Sequence, residues 1–303
     1  MVLPQIAIIL STYQRPDHLK RSLLSIAMQQ DVSGKFEVIV TDDGSQDETP
    51  EVVESFARSV DFPVRFTTHQ HDGFQLSRCR NEGVVASTAP YLLFTDADCV
   101  LPPDHLYWHL KYQRKGSGIA GDCYRLDEET SEKVNEQTIR SSEYLQWISS
   151  KEKRRMAAKA RHARIYQFFR IPMRPRLTGC NIAVWREDFE RVNGFDANYV
   201  QWGLEDRDFQ LRLSRIGVRF RSIVGRSSIC HLWHPVHSTF VRNCEGTVNY
   251  EYFRRKDMLT YCLNGYASAQ AGNFTIRNFD EDEAPRICEF PIPADNADLH
   301  EAI

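Results

Sequence analysis

Four short apolar runs, each followed by an amphipathic stretch of helical length, constrain the first ~125 residues more than any other feature. Residues 6–11, 37–41, a run near 64–67 and 91–95 read as strands; residues 17–30, 49–58 and 76–86 read as helices. That alternation is the pattern of a parallel sheet with crossover helices, and the polar residues after each strand fall at the carboxyl edge, where open α/β sheets place ligands. Beyond a helix at 105–114, residues 130–176 keep a helical pattern. The α/β character resumes with a strand at 180–185 and helices at 187–192 and 205–216. The last ~60 residues carry an acidic run, Asp280-Glu281-Asp282-Glu283, and a Pro/Ala/Asp-rich end expected to be extended or partly disordered.

With 303 residues, 42% hydrophobic, the chain can bury one large core or two fused ones. A net charge of −3 argues against a nucleic-acid partner. There is no 18-residue apolar run and no basic-then-apolar leader, so a cytoplasmic location is expected. The eight cysteines form no Cys-x-x-Cys pair, and reduced, mostly buried thiols are expected. Asn273-Phe274-Thr275 matches a glycosylation acceptor, a chance match without an export signal.

Asp96-Ala97-Asp98 directly follows the apolar strand 91–95. Two carboxylates so close repel unless a cation sits near them, and hard oxygen ligands suit Mg²⁺ or Mn²⁺, which in turn holds a diphosphate. The plain alternative is a strand-end turn capped by Asp. The second strand ends in Thr41-Asp42-Asp43-Gly44-Ser45, where an acid can accept from a base N–H or ribose hydroxyls, while Asp47 caps the next helix. After the first strand, Ser11-Thr12-Tyr13-Gln14-Arg15-Pro16 offers hydroxyls, an aromatic face and a cation, or simply a strand-to-helix turn.

Gly116-Ser117-Gly118-Ile119-Ala120-Gly121 matches a dinucleotide fingerprint in reversed context, after a helix and before a strand, and is set aside. His231-Leu232-Trp233-His234, with His237 nearby, has metal-ligand spacing, although packed or surface histidines share it. In residues 151–176 ten basic side chains face a single acid, Glu152. Such a run is either a solvated helix face or, beside Tyr166, Phe168 and Phe169, an anchor or acceptor groove for anionic lipid or polysaccharide.

Taken in order, the strand-end segments above, then Gly73-Phe74, Arg80-Asn81-Glu82-Gly83, Gly179-Cys180-Asn181, Asn193-Gly194-Phe195-Asp196 and Trp202-Gly203-Leu204-Glu205-Asp206 resemble inverting family 2 glycosyltransferases of the GT-A fold. The likeness is to bacterial chondroitin-polymerase-like members, and the Trp-Gly-x-Glu-Asp element is similar to that of the β-1,4-galactosyltransferases. It implies an α/β, Rossmann-like nucleotide-diphospho-sugar transferase fold with a mostly parallel central sheet and a carboxyl-terminal extension. The expected division is a domain over 1–237, its nucleotide half about 1–125 and its acceptor half 126–237, with 238–303 as the extension.

The resemblance also implies roles. Asp42 would read uracil, with Thr12, Tyr13 and Arg15 around base and ribose. Arg80 would contact the nucleotide, with Arg78 as competitor. Asp96 would meet ribose or a metal-bound water. Asp98 would hold Mn²⁺ or Mg²⁺ with His234 and then His231. Trp202 and Glu205 would bind the acceptor, and Asp206, with Glu205 beside it, would be the catalytic base. The expected partners are a nucleotide-sugar donor, a UDP-sugar above all, and a saccharide or lipid-linked acceptor; peripheral contact with an anionic membrane is a further expectation. Arg207 before Asp208 departs from the galactosyltransferase pattern and leaves donor and acceptor sugars open. Two rivals are a nucleotidyltransferase, disfavoured by the lack of glycine in residues 11–16, and a silent nucleotide- or carbohydrate-binding module.

Overall fold

The computed structural model describes residues 3–236 and 238–279, and the backbone of 286–288. The chain runs β1 (Ile6–Thr12), α1 (Pro16–Ala27), β2 (Phe36–Asp42), α2 (Thr49–Ala57), β3 (Val64–Thr68), α3 (Leu76–Ala86), β4 (Tyr91–Asp96) and β5 (Cys99–Val100). It continues through α4 (His105–Tyr112), β6 (Ser117–Ala120), β7 (Cys123–Arg125), α5 (Glu128–Lys133), α6 (Glu136–Arg140), a 3-10 turn (Glu143–Trp147) and α7 (Ser150–Phe168). Then come β8 (Ile182–Trp185), α8 (Arg186–Arg191), α9 (Glu205–Arg215), β9 (Arg219–Ser222) and β10 (Ile229–His231). The described chain ends with α10 (Val248–Phe253), α11 (Tyr266–Gln270), β11 (Phe274–Asn278) and β12 (Arg286–Cys288).

A nine-stranded sheet of order β12-β11-β3-β2-β1-β4-β8-β6-β9 forms the body. Strands β3, β2, β1 and β4 are parallel; β8 and β11 join antiparallel on either side of that block. All seven residues of β1 and of β2 are buried, as expected of central strands covered on both faces. Alternation splits them: Ile6, Ile8 and Leu10 pack with Leu19, Leu23 and Val53, whereas Ala7 and Ile9 pack with Val84, Phe189 and Phe209. Pro16 at the first position of α1 and Asp17 in its first turn set where that helix starts.

The parallel register aligns the polar strand ends. Thr12 sits beside Asp42, Asp42 beside Thr68, and Ser11 beside Asp96. A small second sheet, β5-β10-β7, lies just past β4, and its antiparallel pairing sets His231 opposite Cys99.

The helical pattern expected over 130–176 is broken into α5, α6, the 3-10 turn and α7, and it stops at Phe168. Pro172 and Pro175 cannot continue a helical ladder, and Arg170 and Met173 adopt positive φ. From the segment after residue 237, β11 pairs with β3 and with β12, which forms that edge of the main sheet. The acidic run and most of the tail lie outside the described residues. The seven described cysteines are free and buried. Among the described residues no helix is long and apolar enough to cross a membrane.

Candidate active site

Asp98, His231 and His234 bring their ligand atoms within 4.8 Å of one another. The cause is local: β5 starts one residue after Asp98, β10 pairs with it, and the Leu232 amide donates to the Asp98 carbonyl at 2.8 Å. His234 Nε2 lies 3.1 Å from one Asp98 oxygen and His231 Nε2 3.5 Å from the other. The Nδ1 atoms of His231 and His234 each lie 2.7 Å from a main-chain carbonyl, those of Leu232 and Pro235. A carbonyl only accepts, so each Nδ1 carries a proton and Nε2 is the nitrogen turned toward Asp98, the arrangement that orients metal-binding imidazoles. Two imidazoles and a carboxylate fit a divalent first-row ion such as Mn²⁺.

Arg15 also reaches Asp98, at 3.2 Å. Burial alone would raise the Asp98 pKa, but His231, His234 and Arg15 outweigh it and hold the carboxyl well below the usual range. His18, whose Nε2 lies 3.1 Å from the Trp233 carbonyl, packs its ring edge toward His234.

At the end of β2 the Asp42 carboxylate is buried and accepts from the Ser45 amide (2.9 Å), the Ser45 hydroxyl (2.5 Å) and Thr68 (2.8 Å). Burial raises its pKa despite those bonds. Its neighbour Asp43 faces His69 at 3.0 Å, and the other nitrogen of His69 lies 2.7 Å from Glu82. Burial works against the His69 charge, yet the two carboxylates raise its pKa to about 9. Asp43, His69 and Cys79 also cluster, but an imidazolium between two acids has no lone pair for an ion. Gly44, at φ +77°, closes this turn where a Cβ would stand 2.5 Å from the His71 amide. Tyr13 stacks on His71 with ring centroids 4.4 Å apart.

Arg80, in α3, is 1% exposed and joins the two halves. One terminal nitrogen lies 3.4 Å from Asp96 and donates to the Gly179 carbonyl at 3.1 Å; the other lies 3.4 Å from Glu205. Its guanidinium also sits 5.0 Å over the Phe195 ring. Asp96 thus faces Arg80 rather than the histidines. Arg78 instead pairs with Glu82 at 2.7 Å.

Glu205 and Asp206 open α9. The residues before them are held in left-handed conformations, Gly203 at φ +96° and Leu204 at φ +77°, and a Cβ on Gly203 would meet Cys244 Sγ at 2.9 Å. Burial first, then the charge of Asp206, pushes Glu205 up to about 7, while one of its oxygens is buried without a partner. Burial raises Asp206 too, opposed by Arg80 and by the amides of Arg207 and Gly179. Trp202 packs edge-on against Phe240 at 4.5 Å beside this turn. Behind it, Asp208 is fully buried between Arg212 (2.7 Å) and Tyr199 (3.2 Å), and Arg255 ties it to Asp196.

The structure therefore gathers the residues singled out from sequence along one edge, in three groups: Asp42 with the strand-end turn, the Asp98 cluster with Arg15, and the Arg80-centred acids. His69, His71 and Arg255 were missed. The signal for the first two was present, since His69-Gln70-His71 follows β3 at the same carboxyl edge.

These features define a GT-A-type sheet with a histidine-carboxylate cluster at its carboxyl edge. The chain belongs to glycosyl transferase family 2, whose profile matches residues 7–180. A second profile, described as the N-terminal domain of galactosyltransferase, matches residues 159–237. Validoxylamine A glucosyltransferase of Streptomyces hygroscopicus subsp. limoneus is 27% identical over 229 residues, 71% of this chain and 49% of that one. Hyaluronan synthase of Pasteurella multocida is 28% identical over 244 residues, 73% of this chain and 24% of that one. The chain thus spans about half or less of the length of these relatives. Among solved structures, a mannosyltransferase from Pyrobaculum calidifontis, in complex with GDP-Man and Mn²⁺, superposes with a TM-score of 0.54 at 18% identity, covering 79% of this chain and 59% of that one. S. aureus TarS 1–349 in complex with UDP-GlcNAc gives 0.54 at 14% identity, covering 78% and 62%.

Proposed function

We propose that this chain is a metal-dependent, inverting hexosyltransferase that moves a sugar from a UDP-sugar to a saccharide or lipid-linked acceptor in surface glycan synthesis. The observation that carries the reading is the Asp98–His231–His234 cluster at the sheet edge, its two Nε2 atoms turned to one carboxylate. Asp98, His234 and His231 would hold Mn²⁺ or Mg²⁺, which supplies positive charge to a diphosphate leaving group. Arg15 would offer a second cation to the same phosphates. Thr12, Tyr13 and Asp42 line the strand ends where the nucleoside would lie, with His71 extending the Tyr13 face.

On the acceptor side, Trp202 offers an aromatic face and Asp206 the base. The acceptor hydroxyl gives its proton to Asp206 as its oxygen bonds to the anomeric carbon and the bond from that carbon to the diphosphate oxygen breaks. Arg80 keeps Glu205 and Asp96 in place and offsets the negative charge around Asp206. Asp96 is paired with Arg80 and Asp98 with Arg15 and the histidines, so neither is free to attack the sugar. That favours single displacement with inversion. A cytoplasmic protein with peripheral membrane contact accords with this reading.

The test is a thermal-shift panel of UDP-, GDP-, CDP- and dTDP-sugars with and without Mn²⁺. Selective binding at a hundredfold excess over Kd raises stability by about 2.7 kcal/mol. UDP-sugars with Mn²⁺ should shift the melt most; a larger shift from another base would replace the UDP assignment, and no metal dependence would remove the proposed mechanism.

A further inference from the structure

Three arginines line one cleft beside α9. The cleft, about 330 Å³, is lined by Met173, Arg174, Arg176, Arg207, Gln210 and Phe253 among others. Neighbouring cations are paired, Arg212 with Asp208, Arg255 with Asp196 and Lys159 with Asp122, whereas Arg174, Arg176 and Arg207 form no ion pair among the described residues. Burial, and then the charges of Arg174 and Arg207, push the Arg176 pKa down, so both neighbours repel it.

Each outer arginine is braced by an aromatic face. The Arg174 guanidinium lies 5.3 Å over Tyr166 and that of Arg207 lies 5.1 Å over Phe253. A guanidinium braced through its plane keeps its N–H edge for a partner in that plane, the geometry in which carboxylates and phosphates are held by two hydrogen bonds. A second cleft of about 340 Å³ shares Arg174 and Arg176 and runs along α7 past His162.

The cleft is built from the same two segments that hold the acids. Arg207 directly follows Asp206, and Arg176 is three residues before Gly179, whose amide faces Asp206 and whose carbonyl accepts from Arg80. We propose that Arg174, Arg176 and Arg207 form an anion subsite of the acceptor site, receiving a phosphate or carboxylate that the acceptor carries near its reacting sugar. This rests on the transferase reading only in calling the bound molecule an acceptor. The like charges that repel in the free protein would be offset when the anion enters, so the cleft would favour a charged acceptor over its neutral isostere.

The experiment is calorimetric titration of the protein, saturated with UDP and Mn²⁺, with methyl β-D-glucuronide, glucose 6-phosphate and neutral methyl β-D-glucoside at low salt. The wild type should prefer at least one charged probe over the neutral one by about tenfold or more. Preference for glucuronide alone assigns a carboxylate, and preference for the phosphate alone assigns a phosphoryl group. The triple variant Arg174→Gln, Arg176→Gln, Arg207→Gln should erase the preference while leaving UDP affinity intact. If that variant also loses UDP or its fold, the double variant Arg174→Gln, Arg176→Gln on the loop must show at least a threefold loss. Equal binding of charged and neutral probes by the wild type, or a preference unchanged in the variants, overturns the proposal. Should the wild type fail to bind UDP with Mn²⁺, the transferase reading falls separately, and the same titration without nucleotide still decides the anion site.

Discussion

Arg80 and Glu205 stand 125 residues apart in the chain and 3.4 Å apart in the fold. The contact is the seam between a helix packed on the amino-terminal strands and the helix that opens with the paired acids. A buried guanidinium is costly unless it is answered by charge, and here Asp96, Glu205 and the Gly179 carbonyl answer it together.

Removing that cation should therefore expose the acids to one another. Arg80→Met is expected to destabilise the protein by about 3 kcal/mol or more, measured by urea unfolding. The loss should be larger at pH 8 than at pH 5, because protonated carboxyls no longer need the guanidinium. An equal loss at both pH values would mean that Arg80 acts by packing alone.

The Glu205 carboxyl carries a second pH signature. Its pKa rises from 4.5 to about 7 on folding, so the native state holds a proton that the unfolded chain releases. The sign follows: this group's contribution is fully present below about 4.5 and is lost as pH rises toward about 7. Glu205→Gln cannot ionise, so between pH 5 and pH 8 its melting temperature should fall by several degrees less than that of the wild type. Parallel melting curves for the two proteins would contradict the raised carboxyl.

Asp206→Asn separates chemistry from binding. It is nearly isosteric, so UDP and Mn²⁺ affinity should hold while transfer falls by about 10²-fold or more. Transfer near the wild-type rate, or product that retains the donor's anomeric configuration, would refute Asp206 as the base of an inverting displacement.

Much of this site could be read from sequence because it depends on strand ends. The apolar runs placed β1, β2, β3 and β4 within a residue or so, and parallel register then brought Thr12, Asp42 and Asp96 to one edge. Asp98 and the His231–His234 pair were each legible from residue chemistry and were joined only through the family resemblance; in the fold it is β5 pairing with β10, two and three residues long, that joins them. Pairs that short leave no periodicity. The Arg80–Glu205 bridge and the Asp196–Arg255–Asp208 network depend on how distant helices meet, which local pattern does not encode. The reversed context of Gly116-Ser117-Gly118-Ile119-Ala120-Gly121 was a sound reason to set it aside, since residues 117–120 form strand β6. Strand β11 escaped because one of its five residues is buried and four are only partly covered, which gives no clear alternation.

The basic helix carries a weaker expectation. On α7 and just beyond, Phe168 and Phe169 are 79% and 67% exposed beside Arg161, Arg164 and Arg170. If this end docks on an anionic bilayer, the protein should float with phosphatidylglycerol vesicles at low salt and release near 1 M, where the Debye length is ~3 Å. No flotation at low salt would leave the segment a solvated helix.

The most direct measurement is the calorimetric affinity for UDP with and without Mn²⁺, on the wild type and on Asp98→Ala. With His231 and His234 turned to Asp98, Mn²⁺ should tighten UDP binding in the wild type by about tenfold or more, and Asp98→Ala should abolish that gain while melting cooperatively. An unchanged Mn²⁺ enhancement in Asp98→Ala, or none in the wild type, would contradict the account.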